Sequence, residues 1–384
     1  MKIILIGNYK SDEQESMIRF AEMLLLGLTK EGVDASIWSP TIILGHFFAN
    51  TKTGIAKWVG YIDKWLLFPA ILKIKLLKLK LTKDNNIRYH ICDHSNSMYY
   101  QYLPKNKTSI TCHDVLAIKG SLGYKDAYCT STKTGKYLQQ MILRNLVQIP
   151  KIACVSTFTL NELTGLAGID KPKNANWLAI PNSFNNAFAK QENAAGNAES
   201  IASLEKFGIK EGVPFVFHVG TSHERKNRQL LIKLLGAVKN EWGGVFIFAG
   251  EALNAELMQL VEKLEIQDRI IDIGNVTHQE LVTLYSNCFA FIFPSFSEGF
   301  GWPIIEAQAC EAPVITSNLQ PMKEVAGEGA ALFANPHDLN DFKLAFEKLN
   351  DSVYRDDLIQ KGKKNIERYS LDIITKKYIQ FFNS

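Results

Sequence analysis

Two glutamates, Glu298 and Glu306, stand on either side of the stretch Gly-Phe-Gly-Trp-Pro (299–303), directly after the apolar run FAFIFP (289–294). Carboxylates accept hydrogen bonds from vicinal hydroxyls, the groups by which a hexose or a ribose is held. Pro303 suits the first position of a helix, where its missing N–H is no loss. The glycine turn before it would then offer backbone N–H groups and the positive end of a helix dipole, a place that attracts phosphate. One acid for a hexose and the other for a ribose, with a diphosphate on the amides between, is the chemistry this spacing allows. The bland alternative is a pair of solvated acids beside a structural turn.

A second stretch supports the first. HVGTSHERKN (218–227) follows a strand-like run and leads into a helical one, which places Arg225 and Lys226 in a loop after Gly220. An Arg-Lys pair opening a helix is by itself an ordinary solvated surface. Beside a glutamate-flanked turn it becomes a candidate clamp for a diphosphate, the guanidinium acting as a fork and the ammonium as a compact charge. The stretch YHICDHSN (89–96) allows two readings. His90 and Cys92 share a face of a strand, with Asp93 and His94 at its end, as a metal site would ask. No second ligand pair has matching spacing, so the favoured reading is a polar strand end whose Asp93, His94, Ser95 and Asn96 line an acceptor side. The chain has no Asp-x-Asp, which argues against a metal-clamped leaving group.

These residues need elements to hold them. With 384 residues, 46% hydrophobic and 21% charged, the chain is a globular protein of two domains. A net charge of +4 is too mild for nucleic acid to be the main partner. The six cysteines lack short paired spacing and read as small buried hydrophobes in a reducing, cytoplasmic setting. KIILIG (2–7) is a buried strand, Met17 to Leu28 recur at helical spacing until Gly32, and VDASIW (33–38) is the next strand. RYHIC, TSITC, KIACVS and WLAIP continue the first half. FVFHVG, VFIFAG, IIDIG, FAFIFP and PVITS, alternating with helices, make the second. Strand–helix alternation builds doubly wound parallel sheets of Rossmann type, which bind ligands at the carboxyl ends of their strands. The expected division is 1–187, a polar linker at 188–204, 205–368, and a terminal helix 369–384 returning to the first domain, with one deep cleft between facing domains.

EGFGWPIIEA resembles the E-x7-E motif of the retaining glycosyltransferases of family four, and VGTSHERKN is similar to their donor-phosphate loop. FAGE, IGNV and EAPVITSN follow the same order, so the likeness runs from about 213 to 336; CHDV, VSTFTLNEL and IPNSF extend it into the first half. The resemblance implies the two-domain GT-B scaffold. It implies that Glu298 holds the donor sugar, Glu306 the nucleotide ribose, and Arg225 and Lys226 the departing diphosphate. It places Gly220, Gly299, Phe300, Gly301 and Ile305 at sugar and phosphate, Val276 by the base, and His113 near the sugar from the opposite domain. One departure is visible: where the family often has a Gly-Gly turn after its first strand, this chain reads GNYKSDEQESM, with Asp12, Glu13 and Glu15. Acids repel a diphosphate. Either this loop faces the acceptor, with Gln14, Glu15 and Ser16 on its hydroxyls, or the donor site is built differently.

The function this implies is metal-independent transfer of a hexose, glucose from a UDP donor as first choice, onto a polysaccharide or lipid-linked saccharide, with no cofactor. A sugar-nucleotide epimerase or a non-catalytic sugar-nucleotide-binding protein are the alternatives. One feature lies outside that reading. Trp58, Tyr61, Trp65 and Phe68 precede AILKIKLLKLKLTK, with Lys73, Lys75, Lys78, Lys80 and Lys83 and no acid before Asp84. Such a segment (58–83) can contact an anionic membrane surface peripherally, although on a helix the lysines fall on two opposite sides and give no clean amphipathic pattern.

Overall fold

The apolar runs of the first half are all strands: β1 (Lys2–Ile6), β2 (Asp34–Trp38), β3 (Ile87–Ile91), β4 (Thr108–Cys112), β5 (Lys151–Cys154) and β6 (Asn176–Ala179). They form one parallel sheet in the order β2-β1-β3-β4-β5-β6. The second half supplies β7 (Phe215–Gly220), β8 (Val245–Gly250), β9 (Ile270–Gly274), β10 (Ala290–Phe293), β11 (Val314–Ser317) and β12 (Leu332–Ala334). These make a second parallel sheet, β12-β11-β10-β7-β8-β9. Eleven of the strands are the apolar runs read from the sequence. β12 is not, because three residues at a sheet edge carry no periodicity to read. This computed structural model describes residues 1–81, 86–184, 188–190 and 204–384; most of the segment read as a linker, together with Lys83 and Asp84, lies outside them.

Parallel strands are covered on both faces, so their residues are apolar without alternation. Ile3 to Ile6 of β1 and Phe291 to Phe293 of β10 are fully buried. Each sheet has its own core: Ile4, Ile91, Ile110 and Ile152 belong to one, Val216, Phe248, Ile292 and Ile315 to the other. The described chain divides into two units, Met1–Gly123 with Thr130–Ser183 and Leu371–Ser384, and Tyr124–Cys129 with Phe184–Ser370. Within the second, the Tyr128 ring stacks on Phe296 at 4.8 Å, a partner that the local sequence around Tyr128 does not reveal.

In the first unit α1 (Glu15–Lys30) follows β1 and buries Phe20, Leu24 and Leu28. The terminal helix Leu371–Asn383 packs against it. A Cβ on Gly27 would lie 2.0 Å from the Thr375 hydroxyl, so glycine is what lets the two helices touch. Tyr378 of the terminal helix reaches Thr111 of β4 across 3.0 Å. A long helix follows β2: α2 (Gly54–Ile62) runs through one π-helical turn (Asp63–Leu67) into α3 (Phe68–Leu81).

Strand order decides where a ligand can sit. In the first sheet the chain leaves β1 for β2 on one side and returns to β3 on the other; in the second it leaves β7 for β8 and β9 and returns to β10. Loops that leave in opposite directions open a crevice at the carboxyl ends of those neighbours. The loops after β1 and β3, and after β7 and β10, are where chemistry is expected.

Candidate active site

At the second crevice the structure brings Glu298, Arg225 and Lys226 together. Arg225 Nη1 lies 2.7 Å from Glu298 Oε2, and Lys226 Nζ 2.6 Å from Oε1. Gly220 ends β7, and the two cations follow in a short 3-10 turn (Glu224–Lys226) before the helix Arg228–Val238. The acid follows β10 in the next loop. The two loops are stitched by backbone: Phe296 N–H donates to Arg225 O at 2.8 Å, and Asn227 Nδ2 donates to Pro294 O and Pro336 O at 3.2 and 2.8 Å. Asn227 holds φ +53°, a left-handed conformation that asparagine tolerates better than most residues.

Burial alone would raise the Glu298 carboxyl, but the charges of Lys226 and Arg225 beside it hold it down at about 2. Burial pulls the Lys226 ammonium below its ordinary range while Glu298 opposes that pull. Lys226 Nζ also lies 4.8 Å over the Phe293 ring. Two cations against one carboxylate leave a local charge of +1, held in place before any ligand arrives.

Glu306 sits one turn inside the helix Trp302–Ala309 and is almost fully buried. Tyr285 Oη donates to its Oε2 at 3.3 Å, so the second glutamate addresses the neighbouring helix His278–Asn287. The helix begins at Gly301, whose φ of +103° only glycine adopts freely. Pro303 stands second in the helix, within the first turn. Phe300 and Ile305 are buried, with Phe300 edge-on to Tyr369 at 5.7 Å. Val276 is half-buried between β9 and His278–Asn287, whose start is fixed by a Thr277–Glu280 capping box. At Gly220 an added Cβ would meet only ordinary contacts, 3.5 Å from His218 and Lys226 side-chain atoms. The protein alone does not demand glycine there.

In this crevice two residues escape the sequence reading. Arg228 is buried and its guanidinium donates to Gly220 O (2.6 Å), Ala249 O (3.1 Å), Glu251 O (2.5 Å) and Ser222 Oγ (3.1 Å), tying the ends of β7 and β8 into one rim. Its only sequence signal is its place directly after Arg-Lys-Asn. His218 of β7 is 1% exposed and its Nδ1–H donates to Ile292 O at 3.0 Å. Burial first, then the charge of Arg228, lowers its pKa to about 3 and keeps the ring neutral. A lone histidine inside an apolar strand offers the reader of a sequence nothing.

The first crevice is a network of amide side chains around one carboxylate. Asn8, after β1, donates through Nδ2 to Gln14 Oε1 and to Asp93 Oδ2, both at 2.6 Å, and accepts from Asn96 Nδ2 at 3.1 Å. Asp93, after β3, also accepts from Ser95 N at 3.0 Å, and His94 Nδ1 lies 3.3 Å from its Oδ1. Burial would raise the Asp93 carboxyl, yet His94, His113 and the donated hydrogen bonds bring it below its ordinary range. Glu15 and Ser16 open α1 on the exposed surface. The acids of the loop are taken by lysines of the same unit, Asp12 by Lys64 and Glu13 by Lys52, each at 2.5 Å. A polar cavity of about 350 Å³ opens here, lined among others by Asn8, Asp12, Gln14, Tyr61, Ser95 and Asn96.

His113 is buried in the first unit; its Nε2–H donates to Cys92 O at 2.8 Å, and its ring meets Phe20 edge-on at 4.7 Å. Burial lowers its pKa, with Asp93 opposing. His90 uses both ring nitrogens on hydroxyls, Ser109 at 2.9 Å and Thr111 at 2.8 Å. Among the described residues, His, Cys, Asp and Glu form no group of three or more that could hold a metal ion.

With this geometry, comparison with known proteins is direct. Residues 200–365 match the family described as "Glycosyl transferases group 1". The O-antigen chain mannosyltransferase RfbU of Salmonella typhimurium is 31% identical over 163 residues, 42% of this chain and 45% of that protein. O-antigen chain mannosyltransferase B of Escherichia coli is 30% identical over 191 residues, 48% of this chain and 49% of that protein. The matched segments thus span about half the length of these curated relatives. Among solved structures, the sucrose-phosphate synthase of Thermosynechococcus elongatus superposes with a TM-score of 0.73 at 18% identity, over 100% of this chain and 98% of that one. At that identity the likeness establishes the fold. Sheet order, the E-x7-E segment and the family match agree: residues 200–365 form a group 1 glycosyl transferase segment like that of the retaining family-four enzymes, in a chain with the GT-B fold.

Proposed function

We propose that the protein transfers a mannosyl residue, with retention of configuration, from a mannose nucleotide diphosphate to a hydroxyl of a growing polysaccharide. Mannose replaces the glucose expected from the sequence because the relatives matched over the donor unit are named as mannosyltransferases of O-antigen chains. The observation that carries the reading is the triad of buried Glu298 and Lys226 with half-buried Arg225 at the crevice between β7 and β10. A diphosphate leaving group needs cations already in place, since fixed charges in a water-poor site cost no reorganisation at the moment of bond breaking. Arg225 and Lys226 meet that need. Glu298, ionised at every working pH, keeps both cations oriented and offers acceptor lone pairs to donor-sugar hydroxyls. Glu306 then serves the ribose, and the backbone of Gly299, Phe300 and Gly301 the phosphates.

The chemical step follows from these charges. The glycosidic bond to the diphosphate breaks, positive character develops on the sugar ring, and the acceptor oxygen bonds to the same face. The acceptor's proton passes to a diphosphate oxygen, so no side-chain nucleophile is required. The hydrogen-bonding network of Asn8, Gln14, Asp93 and Asn96 matches the hydroxyls of a saccharide acceptor, and the pairing of Asp12 and Glu13 with lysines supports an acceptor-facing loop after β1.

Thermal shift with GDP, UDP and ADP, followed by their sugars, identifies the donor, because a ligand that binds only the native state raises Tm by mass action. GDP-mannose is expected to give the largest shift and to support transfer to a mannan-type oligosaccharide, with NMR reporting the anomeric configuration. A larger shift and faster turnover with UDP-glucose overturns the choice of mannose. Conversion of the donor without acceptor indicates an epimerase.

A further inference from the structure

The helix running from Gly54 to Leu81 explains the confused pattern of its sequence: it has two apolar faces. One packs inward through Gly60, Phe68, Leu72 and Leu76. The other is Ile55, Trp58, Ile62, Leu66, Ile74, Leu77 and Leu81, spaced three or four apart with Ala70 filling the one longer step. That spacing puts them on one side of a helix, and they face solvent: Ile55, Trp58, Leu66, Leu77 and Leu81 are each at least 60% exposed. At about 1.5 Å per residue the stripe runs for roughly 40 Å. Soluble proteins rarely leave so long a continuous apolar surface uncovered.

Charge identifies what covers it. Lys57, Lys73, Lys78 and Lys80 are exposed along the same helix. Its one acid, Asp63, is fully buried and consumed by the Tyr9 hydroxyl at 2.6 Å and by the N–H groups of Ile43, Leu44 and Gly45 at 2.9–3.0 Å. The exposed surface of this helix therefore carries cations and apolar side chains with no carboxylate. A second copy would bring the same cations against these, whereas an anionic lipid surface answers both features. An apolar groove of about 660 Å³ lies beside α3, lined by Leu76, Ile87, Tyr89 and Leu103 together with Lys73, Lys80 and Lys107. It pairs an acyl-chain environment with cations suited to a phosphate headgroup. No helix of the described residues is long and apolar enough to cross a membrane, so contact is along the surface.

We propose that the outer face of Gly54–Leu81 lies in the plane of an anionic lipid bilayer, with Trp58, Leu66 and Leu77 entering the headgroup boundary and the lysines contacting lipid phosphates. The inner face is already packed, so no folding is needed on binding.

Flotation of the whole protein with vesicles tests this without any sugar nucleotide, so its outcome is separate from that of the transferase assays. The protein is expected to float with phosphatidylcholine–phosphatidylglycerol vesicles, to float less as salt is raised, and to stay behind with phosphatidylcholine alone. Trp58→Ser/Leu66→Ser/Leu77→Ser is expected to lower partitioning at least about 10-fold. Lys57→Gln/Lys73→Gln/Lys78→Gln/Lys80→Gln is expected to lower it by about fivefold per lysine at low salt. Both variants are confirmed as folded by unchanged melting. Absence of flotation with anionic vesicles, equal flotation with neutral ones, or a triple serine variant that floats like the parent overturns the proposal. So does a parent dimer that the serine variant converts to monomers while vesicle binding is absent, since the stripe is then a contact between copies.

Discussion

The two sheets open crevices by the same topological device and fill them with opposite chemistry. After β7 and β10 stand two cations and one carboxylate, locked by ion pairs of 2.6 and 2.7 Å. After β1 and β3 stand two asparagines, a glutamine and one carboxylate, joined by hydrogen bonds of 2.6 to 3.1 Å. A diphosphate demands fixed positive charge, and a saccharide hydroxyl demands partners that can both donate and accept. Shared topology therefore tells where ligands bind, and side-chain charge tells which ligand.

The sharpest way to break this contrast is to remove the acid that organises the cationic crevice. Glu298→Ala is expected to lower transfer on the order of 1,000-fold, and to cost about 3 kcal/mol of stability because it leaves the buried Lys226 ammonium, with half-buried Arg225 beside it, without their counter-ion. Steady-state transfer rates and denaturant melts check both. A variant that transfers at the parent rate removes the triad from the mechanism. Next, Lys226→Met is expected to weaken nucleotide-sugar binding about 100-fold by calorimetry, losing a charge-assisted contact of about 3 kcal/mol. By contrast, Asn8→Ala is expected to leave donor affinity within about twofold while raising the acceptor KM roughly 10-fold. If Asn8→Ala weakens nucleotide binding as much as Lys226→Met does, the division of labour between the crevices fails.

Acidification loosens both units by the same route. His90 in the first and His218 in the second are buried and neutral, each with its pKa lowered to about 3 by burial above all. A depressed histidine contributes stability that is present above its unfolded value near 6.5 and is lost as pH falls toward the folded value. Each should therefore cost about 2 kcal/mol between pH 7 and pH 5. Glu298, ionised in the fold down to about 2, adds a further loss only below its unfolded value near 4.5. Calorimetry across this range is expected to show a flatter profile for His90→Gln and for His218→Gln, each by its own share. Smaller still, Gly301→Ala should cost about 1–2 kcal/mol, since alanine does not take a φ of +103° without strain. Glu15→Gln, on the exposed start of α1, is expected to change acceptor KM by less than about twofold, within the range of surface substitutions.

Much of this molecule is legible along the chain, and the boundaries of legibility have causes. Parallel strands announce themselves as unbroken apolar runs, which is why β1 through β11 were readable and the three-residue β12 was not. Glu298, Arg225 and Lys226 are conspicuous as charged residues in glycine-bearing turns after strands. Arg228, just after one of those turns, and Asn8, just after β1, are recognisable only by what they touch: four acceptors on β7, β8 and the loops after them for the arginine, and three polar side chains for the asparagine. The helix Gly54–Leu81 is the opposite case. Its lysines and leucines are plain in the sequence, yet two apolar faces at once cancel the periodic signal, and the sequence cannot say which one the core takes.

By itself the amino-acid sequence determined the alternation of strand and helix, the glycine turn at 299–301 and the charge types at each strand end, because these are local matters of backbone freedom, periodicity and ionisation. Tertiary structure alone decided strand order, and with it that residues 72 positions apart, Lys226 and Glu298, meet at 2.6 Å. It also decided that Asp63 disappears into the core while Trp58 stays outside. Partner choice and burial depend on which elements become neighbours, and no property of a single segment contains that information.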